Sequence, residues 1–201
     1  MKASSKLDRY RAKRDPKKTP EPFRKTGKKG GGRIFVVQKH DASNLHYDFR
    51  VEIDGVLKSW AVPKGPSTDP KDKRLAVATE DHPMAYADFE GVIPEGEYGA
   101  GTVMVWDAGT YKNESKQDNG RQLAASKAWE KGHLEVSLDG QKLKGGYHLI
   151  RTGKKSDNRW LLFKRKDDDA DARRNPVSSE PKSVLSGRTL KQIEKAAANQ
   201  D

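Results

Sequence analysis

Imidazole, carboxylate and guanidinium groups recur at a chemically useful spacing in the stretch Arg33 to Asp54, RIFVVQKHDASNLHYDFRVEID. From Leu45 onward the stretch alternates strictly. Leu45, Tyr47, Phe49, Val51 and Ile53 are apolar, and His46, Asp48, Arg50, Glu52 and Asp54 fall between them. A strand repeats every two residues, so His46, Asp48 and Arg50 share one face while the apolar set enters a core. His40 precedes the polar turn Asp41–Asn44 and can return to the same spot. Two imidazoles and one carboxylate suit Mn²⁺, Fe²⁺, Co²⁺ or Zn²⁺ and leave coordination positions for water or a phosphate oxygen. The competing reading is a hydrogen-bonded His–Asp pair on a solvated strand face, since short His/Asp patterns recur by chance.

A second stretch, RLAVATEDHP, repeats the theme. Period two places Arg74, Ala76, Ala78, Glu80 and His82 on one face, and Leu75, Val77 and Thr79 on the other. Arg50 and Arg74 are then placed to neutralise phosphate oxygens, as guanidinium forks do. His82 becomes an acid–base or phosphate-contacting group, because imidazole alone has an unperturbed pKa near neutrality. Lys64, in PKGP, is a phosphate contact or a solvated loop lysine, and Tyr86 a donor into the site or a core aromatic. His133 and His148 have no charged companion pattern and read as structural or surface residues. The His46-x-Asp48 spacing also resembles the facial triad of non-haem iron oxygenases. That reading lacks an arginine soon after His82 to hold a keto-acid carboxylate, since the next one is Arg121.

The elements that must position these groups are mostly short strands. Asp54-Gly55 marks a hairpin whose second strand is Val56 to Val62. Further strands are expected through Trp106, at Thr110-Tyr111, and over Leu134 to Leu138, Gly146 to Arg151 and Arg159 to Lys164. A second Asp-Gly turn falls at Asp139-Gly140. Arg121 to Lys131 reads as a helix with Asn119 as its cap and Gly132 as its stop, and Leu190 to Ala198 as a weaker one. The fold class is therefore mainly β: an antiparallel barrel or sandwich with one or two short helices and flexible basic tails. Residues 1–32, ending in GKKGGG, read as a flexible basic arm, 33–166 as the domain, and 167–201 as a linker or tail.

The 201 residues carry 40 Lys+Arg against 29 Asp+Glu, a net charge of +11. Such a balance favours a polyanionic partner, nucleic acid above all. No apolar run approaches the roughly 18 residues of a membrane span, and no signal pattern precedes the basic start, so a cytoplasmic location and no membrane partner are expected. The sequence contains no cysteine, which excludes disulfides and thiolate metal sites. Any metal must be held by His, Asp, Glu and water.

Four blocks, FVVQKHDASNLHYDFR, SWAVPKGPS, RLAVATEDHPMAYADFEGVIPEGEYGAGTV and LKGGYHLIR, closely resemble the phosphoesterase domain of bacterial ligase D and its free-standing relatives. The resemblance runs from about Arg14 to Lys166. It implies a β-barrel and a manganese-dependent activity, with Co²⁺ as an alternative ion, that heals DNA 3′ ends. Such enzymes remove a 3′-terminal ribonucleoside and then hydrolyse the remaining 3′-phosphate. By the same resemblance, His40, His46 and Asp48 are metal ligands. Arg50, Lys64, Arg74, Glu80, His82 and Tyr86 are phosphate-binding or catalytic, and Arg14, Asp15 and Glu21 serve the nuclease step. Pro16 departs from the family, which carries an aromatic there. The implied partners are primer–template 3′ ends and the ligase and polymerase domains of the same end-joining system, with the domain acting as a monomer. The sequence does not identify the nucleophile: a metal-bound water is the first candidate and a phospho-histidine the alternative. The contrasting non-enzyme reading is a basic DNA-binding module without catalysis.

Overall fold

The alternating stretch folds into two neighbouring strands, β1 (Ile34–Asp41) and β2 (Leu45–Ile53), in the computed structural model, which describes residues 6–23, 33–154 and 156–199. The chain continues through β3 (Val56–Val62), β4 (Arg74–Ala78), a 3-10 helix (Met84–Asp88), β5 (Gly91–Ile93) and β6 (Gly101–Asn113). It then forms α2 (Ala125–Lys131), β7 (His133–Gly140), β8 (Lys144–Arg151) and β9 (Arg159–Lys164). Helix α1 (Asp8–Ala12) precedes the strands, and α3 (Pro176–Ser179) and α4 (Leu190–Ala198) follow them. All strand pairings are antiparallel, in the order β1-β2-β3-β4-β9-β8-β7-β6, and β1 pairs back to β6 to close an eight-stranded barrel. β5 adds to the first residues of β6. No described helix is long and apolar enough to cross a membrane.

The hairpin at Asp54-Gly55 forms as expected. Both residues take positive φ, 52° and 79°, the conformation that a two-residue turn matched to strand twist demands. Phe35, Val37, Phe49, Val51 and Trp60 point into the barrel and meet Trp106 and Trp160 there. The opposite parity of β1 is buried too. Val36 joins Tyr10, Leu57, Tyr86 and Val105 in a second cluster on the outside of the barrel wall. A wall covered on both faces explains why Ile34 to Val37 is a continuous apolar run rather than an alternation.

Several expectations need correction. Leu45, assigned to the core, is 47% exposed, because it stands at the strand end beyond the packed layer. The two strands expected through Trp106 and Thr110-Tyr111 are one, since β1 pairs along nearly its whole length. The helix starts at Ala125, and Asn119 instead holds a turn by accepting from Arg121 N; Gly132 does end the helix, at φ 84°. Asp139 and Gly140 stay in β7. The turn follows them, and the buried Asp107 carboxylate secures it by accepting from the backbone N–H of Gln141, Lys142 and Leu143.

The two ends depart most from the sequence reading. In residues 6–23, read as part of a flexible arm, Leu7 and Tyr10 are 2% and 1% exposed and the segment docks on the barrel. The glycine-rich hinge Gly27–Gly32 lies outside the described residues. The segment 167–199, read as linker or tail, also packs: Ile193 reaches the main core, with Val177 and Leu190 against it. Trp106 Nε1 donates to Glu180 O at 2.8 Å. Its apolar residues are few but correctly spaced, and α4 carries a capping box between Thr189 and Gln192.

Candidate active site

The outer face of β1, β2 and β3 carries the site. Antiparallel register sets His40 opposite His46, Gln38 opposite Asp48, and Val36 opposite Arg50. Residues directly opposite project to the same side, so two polar pairs and Arg50 become one patch, and the imidazole rings of His40 and His46 lie 4.8 Å apart.

Each imidazole is oriented by a backbone carbonyl. His40 Nε2 donates to Gly99 O and His46 Nδ1 to Asn44 O, both at 2.9 Å. A carbonyl only accepts, so those nitrogens carry the protons, and the lone pairs of His40 Nδ1 and His46 Nε2 turn inward. Both inward nitrogens stand 3.7 Å from Asp48 Oδ2. Three electron-pair donors facing one another are mutually repulsive until a cation joins them, and the donor set of two imidazoles and a carboxylate fits a divalent transition ion. Burial works to raise the Asp48 pKa, but the Arg50 guanidinium overrides it and holds the carboxyl well below its ordinary range.

Arg50 is buried beside this centre. Its Nε donates to Gln38 Oε1 at 2.8 Å and its Nη2 to Asp48 Oδ2 at 3.1 Å. Its Nη1 is buried with no acceptor among the described residues. The guanidinium lies over the Tyr86 ring at 4.9 Å. Gln38, which sequence reasoning missed, fixes this arrangement: its Nε2 donates to Tyr86 O and Phe89 O, both at 2.9 Å. The available signal was its place two residues before His40 on the same strand.

His82 is 4% exposed and pairs with Leu57 across a backbone bridge. Its Nδ1 donates to Glu80 O at 2.9 Å, leaving a lone pair on Nε2, 3.5 Å from Arg14 Nη2. Burial, then Arg50 and Arg14, push its pKa well below that of a free imidazole, so it is neutral near pH 7.

The N-terminal segment roofs the pocket. Arg14 Nε donates to Glu21 Oε1 and its Nη1 to Glu80 Oε1, each at 2.9 Å. Tyr86 Oη donates to the same Glu21 oxygen at 2.9 Å. Lys13 Nζ reaches Glu80 Oε2 at 3.0 Å and lies over the Tyr98 ring. Together with the wall, these groups enclose a cleft of about 260 Å³ lined by Arg14, His40, His46, Asp48, Arg50, Glu80, His82 and Tyr86.

Four expected residues stand outside that lining, and one of them, Glu21, lies behind it holding Arg14 and Tyr86. Lys64 is exposed in the turn after β3. Arg74 shares the parity of Ala76, which is in the barrel core, and donates to Asp72 Oδ2 at 2.7 Å. The face predicted for Arg74, Ala76, Ala78, Glu80 and His82 is not a single face, because β4 ends at Ala78 and the alternation lapses beyond it. Thr79, from the opposite parity, lines the cleft instead. Asp15 holds a turn by accepting from Lys17 N at 3.0 Å, and Pro16 occupies the next turn position, where its fixed φ fits.

The family model for the DNA ligase D 3′-phosphoesterase domain matches residues 38–151. The multifunctional non-homologous end joining protein LigD of Pseudomonas aeruginosa is 54% identical over 94% of this chain and 22% of its own length. The multifunctional non-homologous end joining DNA repair protein LigD of Mycobacterium tuberculosis is 47% identical over 82% of this chain and 20% of its own. The chain thus spans about a fifth of the length of these curated relatives. A matched segment covering more than half of the chain, and carrying the His40, His46, Asp48, Arg50 and His82 cluster within it, makes this chain a member of the DNA ligase D 3′-phosphoesterase domain family.

Proposed function

We propose that the chain is a metal-dependent 3′-end-healing enzyme of DNA end joining. It removes a 3′-terminal ribonucleoside to leave a 3′-phosphate, then hydrolyses that phosphate to a 3′-hydroxyl, with Mn²⁺ as its ion. The observation that carries this reading is the buried, acceptor-less Nη1 of Arg50 beside the converging donors of His40, His46 and Asp48.

His40 Nδ1, His46 Nε2 and Asp48 would hold the ion, which supplies Lewis-acid polarisation of a phosphoryl oxygen when bound. Arg50 Nη1 donates to a second phosphoryl oxygen, and Gln38 keeps the guanidinium aimed by holding its Nε. His82, its proton fixed on Nδ1, presents Nε2 as the acceptor or nucleophile facing the phosphate. Arg14 lines the cleft opposite these groups and is itself held by Glu21 and Glu80. It is placed to bind whatever extends beyond the phosphate, which is a nucleoside in the diester and nothing in the monoester. The net charge of +11 suits a DNA backbone on either side of the cleft. The names of the relatives, which describe multifunctional non-homologous end joining proteins, support a place in end joining, and ligase and polymerase domains of such a system are the proposed partners.

The test uses two primer–templates, one ending in a single ribonucleotide and one in a 3′-phosphate, with manganese or chelator. Both substrates should be processed by the native chain with manganese, and neither by His46→Ala. Turnover that survives chelation, or that His46→Ala retains, overturns the proposal.

A further inference from the structure

His133, Glu135 and His148, set aside by the sequence pattern, converge on the far side of the barrel. His133 and Glu135 are two residues apart on β7, and Glu135 stands directly opposite His148 on β8. Leu134, Val136 and Leu149, of the other parity, fill the barrel core, so the three polar side chains share its outer face. Around the closed barrel β8 lies four strands from β2 in either direction, which puts this cluster on the wall opposite the catalytic cleft.

The donor atoms are close enough to share one ion. His133 Nε2 is 3.1 Å from Glu135 Oε1 and 3.5 Å from His148 Nδ1, and His148 Nδ1 is 3.8 Å from the same carboxylate oxygen. An ion about 2.1 Å from each donor sets neighbouring donors about 3.0 Å apart in octahedral and about 3.4 Å apart in tetrahedral geometry. The observed separations need only small side-chain adjustments to reach either. The mounting is stiff. His148 stacks on Phe163 with ring centroids 5.0 Å apart, and Glu135 is tied through its backbone to Ser115 Oγ and Glu114 N. Arg165, the nearby guanidinium, is engaged by Glu114, and among the described residues Glu135 forms no ion pair with lysine or arginine.

We propose that His133, Glu135 and His148 form a second metal site, for a divalent ion of the zinc or cobalt kind. Two imidazoles with one carboxylate suit these borderline ions, and the donor set is the same as at His40, His46 and Asp48. Three protein donors leave at least one position open. His133, with its side chain 49% exposed, turns that position toward solvent, so water or a donor from another molecule completes the shell.

The test is cobalt uptake by the full chain, measured by equilibrium dialysis and by the visible absorption of the bound ion. His46→Ala, which disables the centre on β1 and β2, isolates the second site from the first. This variant should still bind one equivalent of Co²⁺, competed away by Zn²⁺, and adding His133→Ala should abolish that equivalent. Because His133 is half exposed and outside the core, its replacement leaves the fold intact, which far-ultraviolet circular dichroism verifies. Glu135→Gln, similar in shape, should abolish uptake too. A His46→Ala protein that takes up no cobalt, or uptake that persists after adding His133→Ala, overturns the site.

Discussion

Gln38 shows how a neutral side chain can govern a charged one. Its oxygen accepts from Arg50 Nε while its nitrogen spans two backbone carbonyls, so one amide locks the guanidinium to the 3-10 helix behind it. Gln38→Ala removes the acceptor of Arg50 Nε and a donor to Phe89 O, while Tyr86 O keeps the Phe89 N–H, a loss of about 1–3 kcal/mol for each group left without a partner. Denaturant melts should show that loss. Release of 3′-phosphate should slow in kcat more than it shifts KM, because Arg50 is then free to swing. Arg50→Lys tests the guanidinium itself. An ammonium can replace one donor but not the fork that holds Gln38 and Asp48 and, in the proposed reaction, a substrate oxygen. Activity should fall about 10²–10³-fold, as it does when a single transition-state donor is removed. An Arg50→Lys enzyme within a few-fold of native rate would remove Arg50 from the reaction. The contrast between these two residues also marks what the sequence made legible. Arg50 stood out because charge on a strand between apolar neighbours is conspicuous. Gln38 did not, because an amide between Val37 and Lys39 breaks no pattern and its partners are backbone atoms far away in the chain.

At the scale of an element, the N-terminal segment is a docked roof where composition suggested a loose arm. Tyr10 anchors it, edge-on to His82 and Tyr86 with centroids 5.1 and 6.1 Å away, and donates to Pro22 O. The sequence hid this because a lone tyrosine and leucine among lysines and arginines carry no periodicity, and their burial depends wholly on the barrel surface beneath. Tyr10→Ala should cost about 3–5 kcal/mol of docking, the range for emptying a large aromatic site. Hydrogen exchange should then rise across residues 6–23 and stay unchanged in β7 and β8. Removal of a terminal ribonucleoside should suffer more than removal of a 3′-phosphate, since Arg14 reaches the cleft only from the docked segment. Equal loss of both steps would mean that the roof serves the whole site. Docking also has a pH dependence. Burial works to raise the Glu80 pKa, yet its hydrogen bonds from Arg14 and Lys13 hold it below the ordinary 4.5. A carboxyl with a depressed folded pKa stabilises above its unfolded value, and that stabilisation is lost as pH falls through the folded one. The roof should therefore loosen below about pH 4.5, seen as faster proteolysis at Lys17 and Lys18, and Glu80→Gln should abolish that acid step.

For the whole molecule, the barrel was legible because strand alternation and Asp-Gly turning are local signals, and the closure of β1 on β6 followed from neither. The segment beyond Lys166 was illegible for a different reason. Its composition is that of a linker, but a folded surface needs only a few anchors when the barrel supplies the rest of the interface. Ile193 is 3% exposed against the main core, Glu180 O takes the Trp106 indole proton, and Lys142 Nζ donates to Glu180 O and Lys182 O at 3.0 and 2.6 Å. Val184 N adds a backbone bond to Val105 O on β6, the strand whose far edge carries β1. A chain ending at Lys166 therefore exposes Trp106 and leaves its indole nitrogen and the Lys142 ammonium without those acceptors. It should melt well below the full chain. Ile193→Ala alone should cost about 2–5 kcal/mol and Ile193→Val about 1 kcal/mol, the spread expected for truncating a buried aliphatic side chain. The segment meets β2 where Tyr47 Oη donates to Val177 O, but none of its residues lines the cleft, so its loss should act on the candidate site through stability. At a temperature where the shortened chain is still folded, its rate on a 3′-phosphate end should match the full chain, while its half-life on warming is shorter. An unchanged melting midpoint after truncation would show that residues 167–199 contribute nothing to the fold, and a rate lost before the fold is lost would show that they reach the site.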